Sequence, residues 1–408
     1  MSKRVVVTGI GAVTPIGNDA NAFWNNLISG VNGIDAITRF DTANFKCKLA
    51  AEVKNFDPLA HFEKMFVNKT DLYVLYALCA AGEAVADSGI EGNIAPEELS
   101  VYFGSGVGGV NTLCEENLKC ENQGPRRVSP QFVPKMIINI AAGQIAIKYG
   151  AHGNAMCLST ACATGTSAIG EAYRAIKDGY TTAVICGGSE AAVNPLCVAG
   201  FQNLQALSQS EDKDAASLPF DARRGGFVLG EGAGALILEE YEHAVNRGAH
   251  IYCEMVGYGA TCDAHHITAP DTEATYTAKA IEQALRGVDY TARDVYINAH
   301  GTGTHYNDLA ETAAFKKAFG DAAYDLTISS TKSMTGHMLG AAGAIEAIAC
   351  VKTLETGDVP PTIHLTEKDP ECDLDYTPCV SVKKDIRVAL STSLGFGGHN
   401  ACITFKKL

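Results

Sequence analysis

The sequence has 408 residues, of which 47% are hydrophobic and 19% are charged. This balance suits a large, well-buried α/β core and excludes a disordered or coiled-coil protein. The formal net charge of −14 at pH 7 argues against a nucleic-acid partner, because duplex binding depends on clustered Lys and Arg side chains.

The first residues and the cysteine content predict a cytoplasmic protein. Residues 1–4 run directly into a strand-like segment, without the apolar stretch of a signal peptide. No apolar run approaches membrane-spanning length. The fourteen cysteines lack paired C-x-x-C spacing, so we expect neither a zinc site nor disulfides.

Short apolar runs, bounded by glycine, recur along the chain and predict strands that are buried on both faces of a sheet. These runs cover residues 4–8, 101–103, 183–186, 235–238, 295–299, 327–329 and 401–405. Helical patterns lie between them. Ile169, Ala172, Tyr173 and Ile176 have helical spacing, and a second helix is predicted over residues 341–354.

Strands that alternate with helices favour an α/β architecture with helices on both faces of the sheet. A composition-neutral break near residues 248–253 indicates two parts. We therefore expect an N-terminal half at 1–250, which carries a nucleophilic cysteine, and a C-terminal half at 251–408, which carries two histidines.

The sharpest local signal is the segment LSTACATG at residues 158–165, a turn of small residues that leads into the first predicted helix. It places Cys162 at the helix N-terminus. Unpaired backbone N–H groups and the helix dipole favour a thiolate there, so we expect a lowered pKa and a nucleophilic sulfur. The same N–H groups can form part of an oxyanion hole.

Two further polar segments follow predicted strands. Residues 298–304 (NAHGTGT) place His300 at a strand end, and residues 330–337 (STKSMTGH) place Lys332 and His337 between a strand and a helix. A single histidine in such a place is more often structural, but three strand-end segments can converge on one site. The sequence thus predicts a catalytic centre of Cys162, His300, Lys332 and His337.

These three segments, in this order, resemble the β-ketoacyl-ACP synthases of thiolase fold. The resemblance extends over essentially the whole chain and includes residues 5–17 (VVVTGIGAVTPIG), 104–109, 220–234 (FDARRGGFVLGEGAG) and 395–398. Residues 115–117, 124–126 and 129–134 are most similar to the bacterial elongation type of this family, synthase II.

The resemblance implies a thiolase-like five-layer αβαβα fold of two duplicated halves, assembled as a homodimer. It implies a 3-oxoacyl-ACP synthase of fatty acid elongation, in which Cys162 takes the acyl chain as a thioester. The N–H groups of Cys162 and Phe396 would form the oxyanion hole. No cofactor is expected, because the phosphopantetheine arm of acyl carrier protein carries the substrates.

In the second half-reaction malonyl-ACP loses carbon dioxide, and neutral His300 and His337 would donate hydrogen bonds to the enolate oxygen. Lys332 would orient the site electrostatically, with Glu311 and Glu346 as candidate partners.

The resemblance also assigns substrate-binding positions. Thr302 and Thr304 would bind the phosphopantetheine arm, and Phe396 would be the gating aromatic residue beside the acyl site. Val107 would line the acyl pocket, so Val107→Phe is expected to shorten the accepted acyl chain.

Several residues depart from the family pattern. Gly303 and His305, followed by Tyr306, stand where serine and proline are usual. Leu394 stands where phenylalanine is commoner, and His399 replaces a usual threonine. We expect a changed rim of the pantetheine channel, and the acyl-chain preference stays open.

An acidic carrier protein would need a basic docking patch on this acidic chain. Candidate patch residues are Lys64, Lys69, Arg126, Arg127 and Lys135. Asn68 and Gln205 stand at positions where the family has basic residues, so carrier recognition is expected to be tuned to a particular partner.

Other protein classes share single features with this chain. Residues 104–109 fit the G-x-G-x-x-G pattern of dinucleotide-binding oxidoreductases, but residues 121–125 offer no second strand with an acidic ribose ligand. Chain-length factors usually lack the cysteine, and degradative thiolases use a second cysteine, whereas Cys402 fits a strand interior. A polyketide-type ketosynthase remains the alternative, because its motifs overlap.

Overall fold

A computed structural model describes residues 2–408. The strands are β1 Val5–Val13, β2 Asp35–Ala36, β3 Leu49–Ala50, β4 Leu99–Gly104, β5 Ala155–Met156, β6 Ala183–Glu190, β7 Gly232–Glu240, β8 Cys253–Cys262, β9 Val295–Asn298, β10 Thr327–Ser329, β11 Asp358–Val359, β12 Val382–Lys383, β13 Val388–Gly395 and β14 His399–Lys406. The α-helices are α1 Ala20–Ile28, α2 Lys64–Asn68, α3 Leu72–Ser88, α4 Val110–Gln123, α5 Phe132–Met136, α6 Ile140–Tyr149, α7 Thr164–Lys177, α8 Pro195–Asn203, α9 Tyr241–Asn246, α10 Thr275–Ala284, α11 His305–Phe319, α12 Lys332–Thr335 and α13 Ala342–Thr356.

Ten strands form one mixed sheet in the order β10-β9-β13-β14-β8-β1-β7-β6-β4-β5. Its two halves have the same topology, with β1, β4, β5, β6 and β7 matched by β8, β9, β10, β13 and β14. In each half the last strand is antiparallel to the first and fourth strands. The second strand is parallel to the third and fourth. The domain boundary at residue 250 stays a prediction.

The helices complete five layers around the two halves of the sheet. Helices α7 and α13 pack against each other and contact strands of both halves, so they form the central layer. Helices α3 and α6 cover the outer face of the first half, and α10 and α11 cover that of the second. The predicted αβαβα fold is confirmed.

Each of the seven apolar runs coincides with a strand, with only Arg4 and Ala299 outside, and both predicted helices are present as α7 and α13. The strands β8 and β13 were not predicted. Their sequences, CEMVGYGATC and VALSTSLG, mix polar and apolar residues instead of forming a continuous apolar run. Among the described residues, no helix is long and apolar enough to cross a membrane.

Each half of the molecule has a tight turn at the N-terminus of its central helix, and the two turns occupy equivalent places. A short 3-10 turn, Ala161–Ala163, leads into α7, and another, Leu339–Ala341, leads into α13. Each turn begins with a residue in the left-handed region, Ala161 at φ 50° and Leu339 at φ 46°. Cys162 and Gly340 therefore occupy matching positions at the two helix N-termini.

Candidate active site

A cavity of about 390 Å³ opens where loops from both halves of the molecule meet. Cys162 reaches it from the turn before α7, His300 from the loop after β9, and His337 from the segment between β10 and α13. The structure thus brings the predicted nucleophile and both predicted histidines to one place, although they are far apart in the sequence.

Cys162 is half-buried at the floor of this cavity. Burial raises the pKa of its thiol to about 12, although Lys332 and the backbone N–H groups of Phe396 and Cys162 itself lower it. This direction is opposite to the predicted lowering, because desolvation outweighs the charge of Lys332 and the hydrogen bonds from the two N–H groups. The two N–H groups nevertheless lie where they can stabilise negative charge beside the sulfur.

The rings of His300 and His337 lie almost perpendicular to each other, with centroids 5.2 Å apart. Burial, together with the positive charge of Lys332, holds the pKa of both imidazoles well below the usual value. Both rings are therefore neutral at physiological pH. The Nδ1 atoms are buried and have no hydrogen-bond partner among the described residues.

Lys332 is buried and forms an ion pair with Glu346 of α13. Glu346 is thus the partner that the sequence predicted, and Glu311 is not. Glu311 instead accepts hydrogen bonds from the backbone N–H groups of His300 at 2.6 Å and Gly301 at 2.7 Å. These bonds fix the loop that carries His300, so Glu311 positions the histidine through its backbone.

The mouth of the cavity carries the predicted substrate-binding residues. Thr302 and Thr304 line it and their hydroxyl groups are 2.9 Å apart. Phe396 lines it as well, and its ring packs near that of Phe201. The glycine beside it has no room for a side chain, because a Cβ on Gly395 would lie 2.5 Å from the carbonyl oxygen of Thr160.

Sequence reasoning missed Glu190, a buried carboxyl group at the end of β6. It accepts hydrogen bonds from the hydroxyl of Ser105 at 2.7 Å and from the N–H groups of Gly106 at 2.8 Å and Gly340 at 3.0 Å. Burial raises the pKa of Glu190. Its place four residues after the predicted strand at 183–186 was the available signal.

The contacts of Glu190 also distinguish the segment at residues 104–109 from a dinucleotide-binding loop. Its carboxylate occupies the N–H groups of residues 106 and 107, which a Rossmann loop would direct at phosphate. The helix that follows, α4, leads to a 3-10 turn and α5, not to a second strand. The rejection of an oxidoreductase is therefore supported by the structure.

Val107 is not brought to the cavity that holds Cys162. It is 42% exposed on the surface and does not line that cavity. Its predicted place in an acyl pocket stays a prediction.

The residues that depart from the family pattern lie around the mouth of the cavity that contains Cys162, as expected. Tyr306 and Leu394 line the cavity. His305 is exposed and its Nδ1 atom lies 3.3 Å from the guanidinium of Arg224. Gly303 has φ 76°, a conformation that favours glycine over the usual serine.

The fold and the cavity define a condensing enzyme of the acyltransferase class, built on the thiolase-like ketosynthase fold. Residues 2–244 match the model of the beta-ketoacyl synthase N-terminal domain, and residues 252–366 match that of its C-terminal domain. The chain belongs to the beta-ketoacyl synthase family.

Relatives with a stated function cover nearly the full chain. It is 49% identical to 3-oxoacyl-[acyl-carrier-protein] synthase 2 of Synechocystis sp., over 99% of this chain and 98% of the relative. It is 48% identical to the synthase 2 of Staphylococcus aureus, over 100% of this chain and 99% of the relative.

Solved structures of ketosynthases superpose over the full length of both chains. The beta-ketoacyl synthase of Burkholderia phymatum has a TM-score of 0.91 at 34% identity. A type II polyketide ketosynthase, in complex with its acyl-carrier protein and bound to a hexaketide, has a TM-score of 0.92 at 35% identity.

Proposed function

We propose that this chain is a 3-oxoacyl-ACP synthase of fatty acid elongation, which extends an acyl chain by two carbons from malonyl-ACP. The observation that supports this proposal is one cavity lined by Cys162, His300 and His337. The thiol of Cys162 lies beside two backbone N–H groups, and both imidazoles are buried and neutral. The two half-reactions need these two sets of donors.

In the first half-reaction the sulfur of Cys162 attacks the thioester carbonyl of acyl-ACP. The oxyanion lies between the N–H groups of Cys162 and Phe396, the bond to the pantetheine sulfur breaks, and the thiol proton leaves with the carrier. The product is an acyl-enzyme.

In the second half-reaction malonyl-ACP enters with its thioester oxygen between His300 and His337. The bond to the carboxylate breaks, carbon dioxide leaves, and its electron pair forms an enolate that accepts hydrogen bonds from both imidazoles. The enolate carbon attacks the acyl thioester, and the carbon–sulfur bond to Cys162 breaks. The released thiolate takes up one proton.

Thr302 and Thr304 bind the phosphopantetheine arm in this proposal, and Phe396 moves as the acyl chain enters. The adjacent Gly397 has φ 88° and Gly398 has φ 77°, so this turn has a backbone that glycine favours. No further cofactor takes part, because both carbon fragments arrive as thioesters.

Acyl carrier protein is the proposed partner. The synthase 2 relatives carry this protein in their names, and a similar ketosynthase has been seen in complex with one. Lys64 begins α2 and Lys69 follows its last residue, Asn68. The amino group of Lys135, in α5, lies 3.4 Å from the carbonyl oxygen of Asn68. These side chains form a local basic surface on a negatively charged molecule, as an acidic carrier requires.

A homodimer is part of the proposal. The edge strand β5 leaves one end of the sheet open. Exposed apolar side chains also lie just before α4, on α4, on α5 and at the start of α8. They are Val107, Leu113, Leu118, Val133 and Leu196. An open strand edge and exposed apolar side chains both favour pairing with a second chain.

A cytoplasmic location is also part of the proposal. The free cysteines among the described residues suit that location.

The test uses purified protein, malonyl-ACP and a series of acyl-ACPs, with the products followed by intact mass. The wild type is expected to form an acyl-enzyme and 3-oxoacyl-ACP, and Cys162→Ala is expected to form neither. Cys186→Ala is the matched control, because this buried cysteine lies within β6. Acylation of the Cys162→Ala variant would contradict the proposal.

A polyketide-type ketosynthase is the second candidate, since a solved type II polyketide ketosynthase shares the fold at 35% identity. The identity of 49% to an elongation enzyme favours the first. Condensation with polyketide starters but not with fatty-acyl carriers would reverse this order.

A further inference from the structure

The outer helix layer of the first half contains two adjoining cavities, of about 420 Å³ and about 410 Å³, that the condensation does not use. Both are lined by His61, Phe62, Leu78 and Lys148, and together we call them the outer groove. The outer groove lies between the segment before α2, the solvent side of α3 and the end of α6. Each cavity has the size of a small-ligand pocket.

Two polar groups converge over Gly82 of α3. A Cβ on Gly82 would lie 3.1 Å from the hydroxyl oxygen of Tyr149 and 3.5 Å from the ammonium nitrogen of Lys148. Among residues 2–408, Lys148 has no ion pair and the Tyr149 hydroxyl has no hydrogen bond. The ammonium instead lies 5.7 Å and 5.2 Å from the ring centroids of Phe62 and Tyr149. Because Gly82 has no side chain, both polar groups can reach a ligand in the outer groove.

The carboxyl groups that line the outer groove do not neutralise Lys148. Both oxygens of Glu83 accept hydrogen bonds from backbone N–H groups, each at 2.8 Å, and Asp19 caps α1 through its side chain. Glu63 is exposed, so solvent and salt screen its charge. The positive charge of Lys148 is therefore left for a ligand, and an anionic group suits this part of the outer groove.

The second cavity of the outer groove is mainly apolar. The rings of Phe62 and Phe66 pack with their centroids 5.5 Å apart, and both pack on the core cluster that contains Leu78. Ile147 of α6 lines the same cavity and is 75% exposed. Covering these side chains with a hydrocarbon would remove apolar surface from water, which is favourable.

We propose that the outer groove binds a free fatty carboxylate, with its head group at Lys148 and Tyr149 and its hydrocarbon chain in the apolar cavity. The ammonium and the hydroxyl donate hydrogen bonds to the carboxylate oxygens. This site is separate from the catalytic centre, because the outer groove and the cavity of Cys162 share no lining residue.

The experiment titrates decanoate, below the concentration at which it forms micelles, into the purified protein and measures the Kd by calorimetry. Lys148→Met keeps most of the side chain but removes its charge, so it is expected to raise the Kd about fivefold, the effect of one partly exposed ion pair. Lys279→Met is the matched control, because Lys279 also lies over a tyrosine ring, at 5.1 Å, but in α10 of the second half. Decanol lacks the charge and acetate lacks the chain, so both are expected to bind more weakly than decanoate.

A second variant separates binding from folding. Gly82→Ala places a methyl group beside the two polar groups and is expected to raise the Kd, while the melting temperature stays level or rises because alanine is the better helix residue. An unchanged Kd in Lys148→Met or in Gly82→Ala, or decanol that binds as tightly as decanoate, overturns the inference. Binding of anionic lipid vesicles without binding of decanoate overturns it as well, and would assign this surface to a bilayer. None of these outcomes bears on the condensing activity, which is measured separately.

Discussion

The two histidines are useful as hydrogen-bond donors only while they are neutral. Burial, and then the charge of Lys332, lowers the pKa of His300 and His337 well below the ordinary value. An ordinary imidazole, with a pKa of about 6.5, would be mostly protonated at about pH 6. The neutral forms here are therefore retained as the pH falls through that range.

We expect carbon dioxide release from malonyl-ACP to stay constant between about pH 6 and pH 8, because the pKa of both histidines is lowered well below its ordinary value. The measurement uses Cys162→Ala, which isolates the second half-reaction from acylation. A loss of rate with a midpoint near the ordinary histidine pKa would show that these imidazoles are not held neutral.

The ion pair of Lys332 and Glu346 lies out of contact with water. Lys332→Met leaves the carboxyl group of Glu346 buried without its partner, which is expected to lower the free energy of unfolding by about 3 kcal/mol. The double variant with Glu346→Gln removes the unpaired charge and should recover part of the loss. Chemical denaturation measures both. Equal stability of the single and double variants would count against this account.

The sequence was sufficient to predict that Cys162, His300, Lys332 and His337 come together in the folded chain, because each follows an extended segment. Their catalytic roles stay predictions. The sequence was not sufficient to predict the direction in which the pKa of Cys162 is shifted. The pKa of Cys162 depends on burial by residues far away in the chain, and a helix N-terminus alone predicts the opposite direction. The role of Glu190 depends on the approach of Gly340, which only the folded chain provides.

At the scale of elements, the two central helices cross so closely that glycine is required at their contact. A Cβ on Gly343 of α13 would lie 2.0 Å from the hydroxyl oxygen of Thr166 in α7. Gly343→Ala is therefore expected to destabilise the fold by about 1–3 kcal/mol. Gly143→Ala in α6 meets only one side-chain atom, at 4.0 Å, and should be neutral or stabilising. Urea unfolding of both variants makes the comparison, and equal stabilities would contradict the packing argument.

Strands and helices with a single strong pattern could be read from the sequence, as the apolar runs and α7 illustrate. The strands β8 and β13 could not, because their residues alternate in polarity or contain serine and threonine. The strand order could not be read either, since the pairing of β1 with β8 joins residues 5–7 to residues 253–255. The resemblance to a known family supplied that topology.

At the scale of the whole molecule, the proposed dimer would cover the exposed apolar side chains of α4, α5 and the start of α8. Leu118 of α4 is 58% exposed. Leu118→Asp places a charge in the interface and is expected to give monomers, as measured by light scattering after size-exclusion chromatography. Leu59→Asp is the control, because Leu59 is equally exposed, at 56%, in a 3-10 turn outside this surface. A wild-type monomer would contradict the proposed assembly.

Dimer formation also decides the role of Val107. This residue is exposed in the single chain, but its N–H donates to Glu190 at 3.2 Å, so its loop is tied to the catalytic centre. A partner that covers the exposed apolar side chains before and on α4 would enclose Val107, which would then lie within the acyl pocket as predicted. Val107→Phe is then expected to shorten the longest acyl chain that the enzyme accepts, as measured with a series of acyl-ACPs. If the variant remains dimeric and its chain-length selectivity is unchanged, Val107 does not line the acyl pocket.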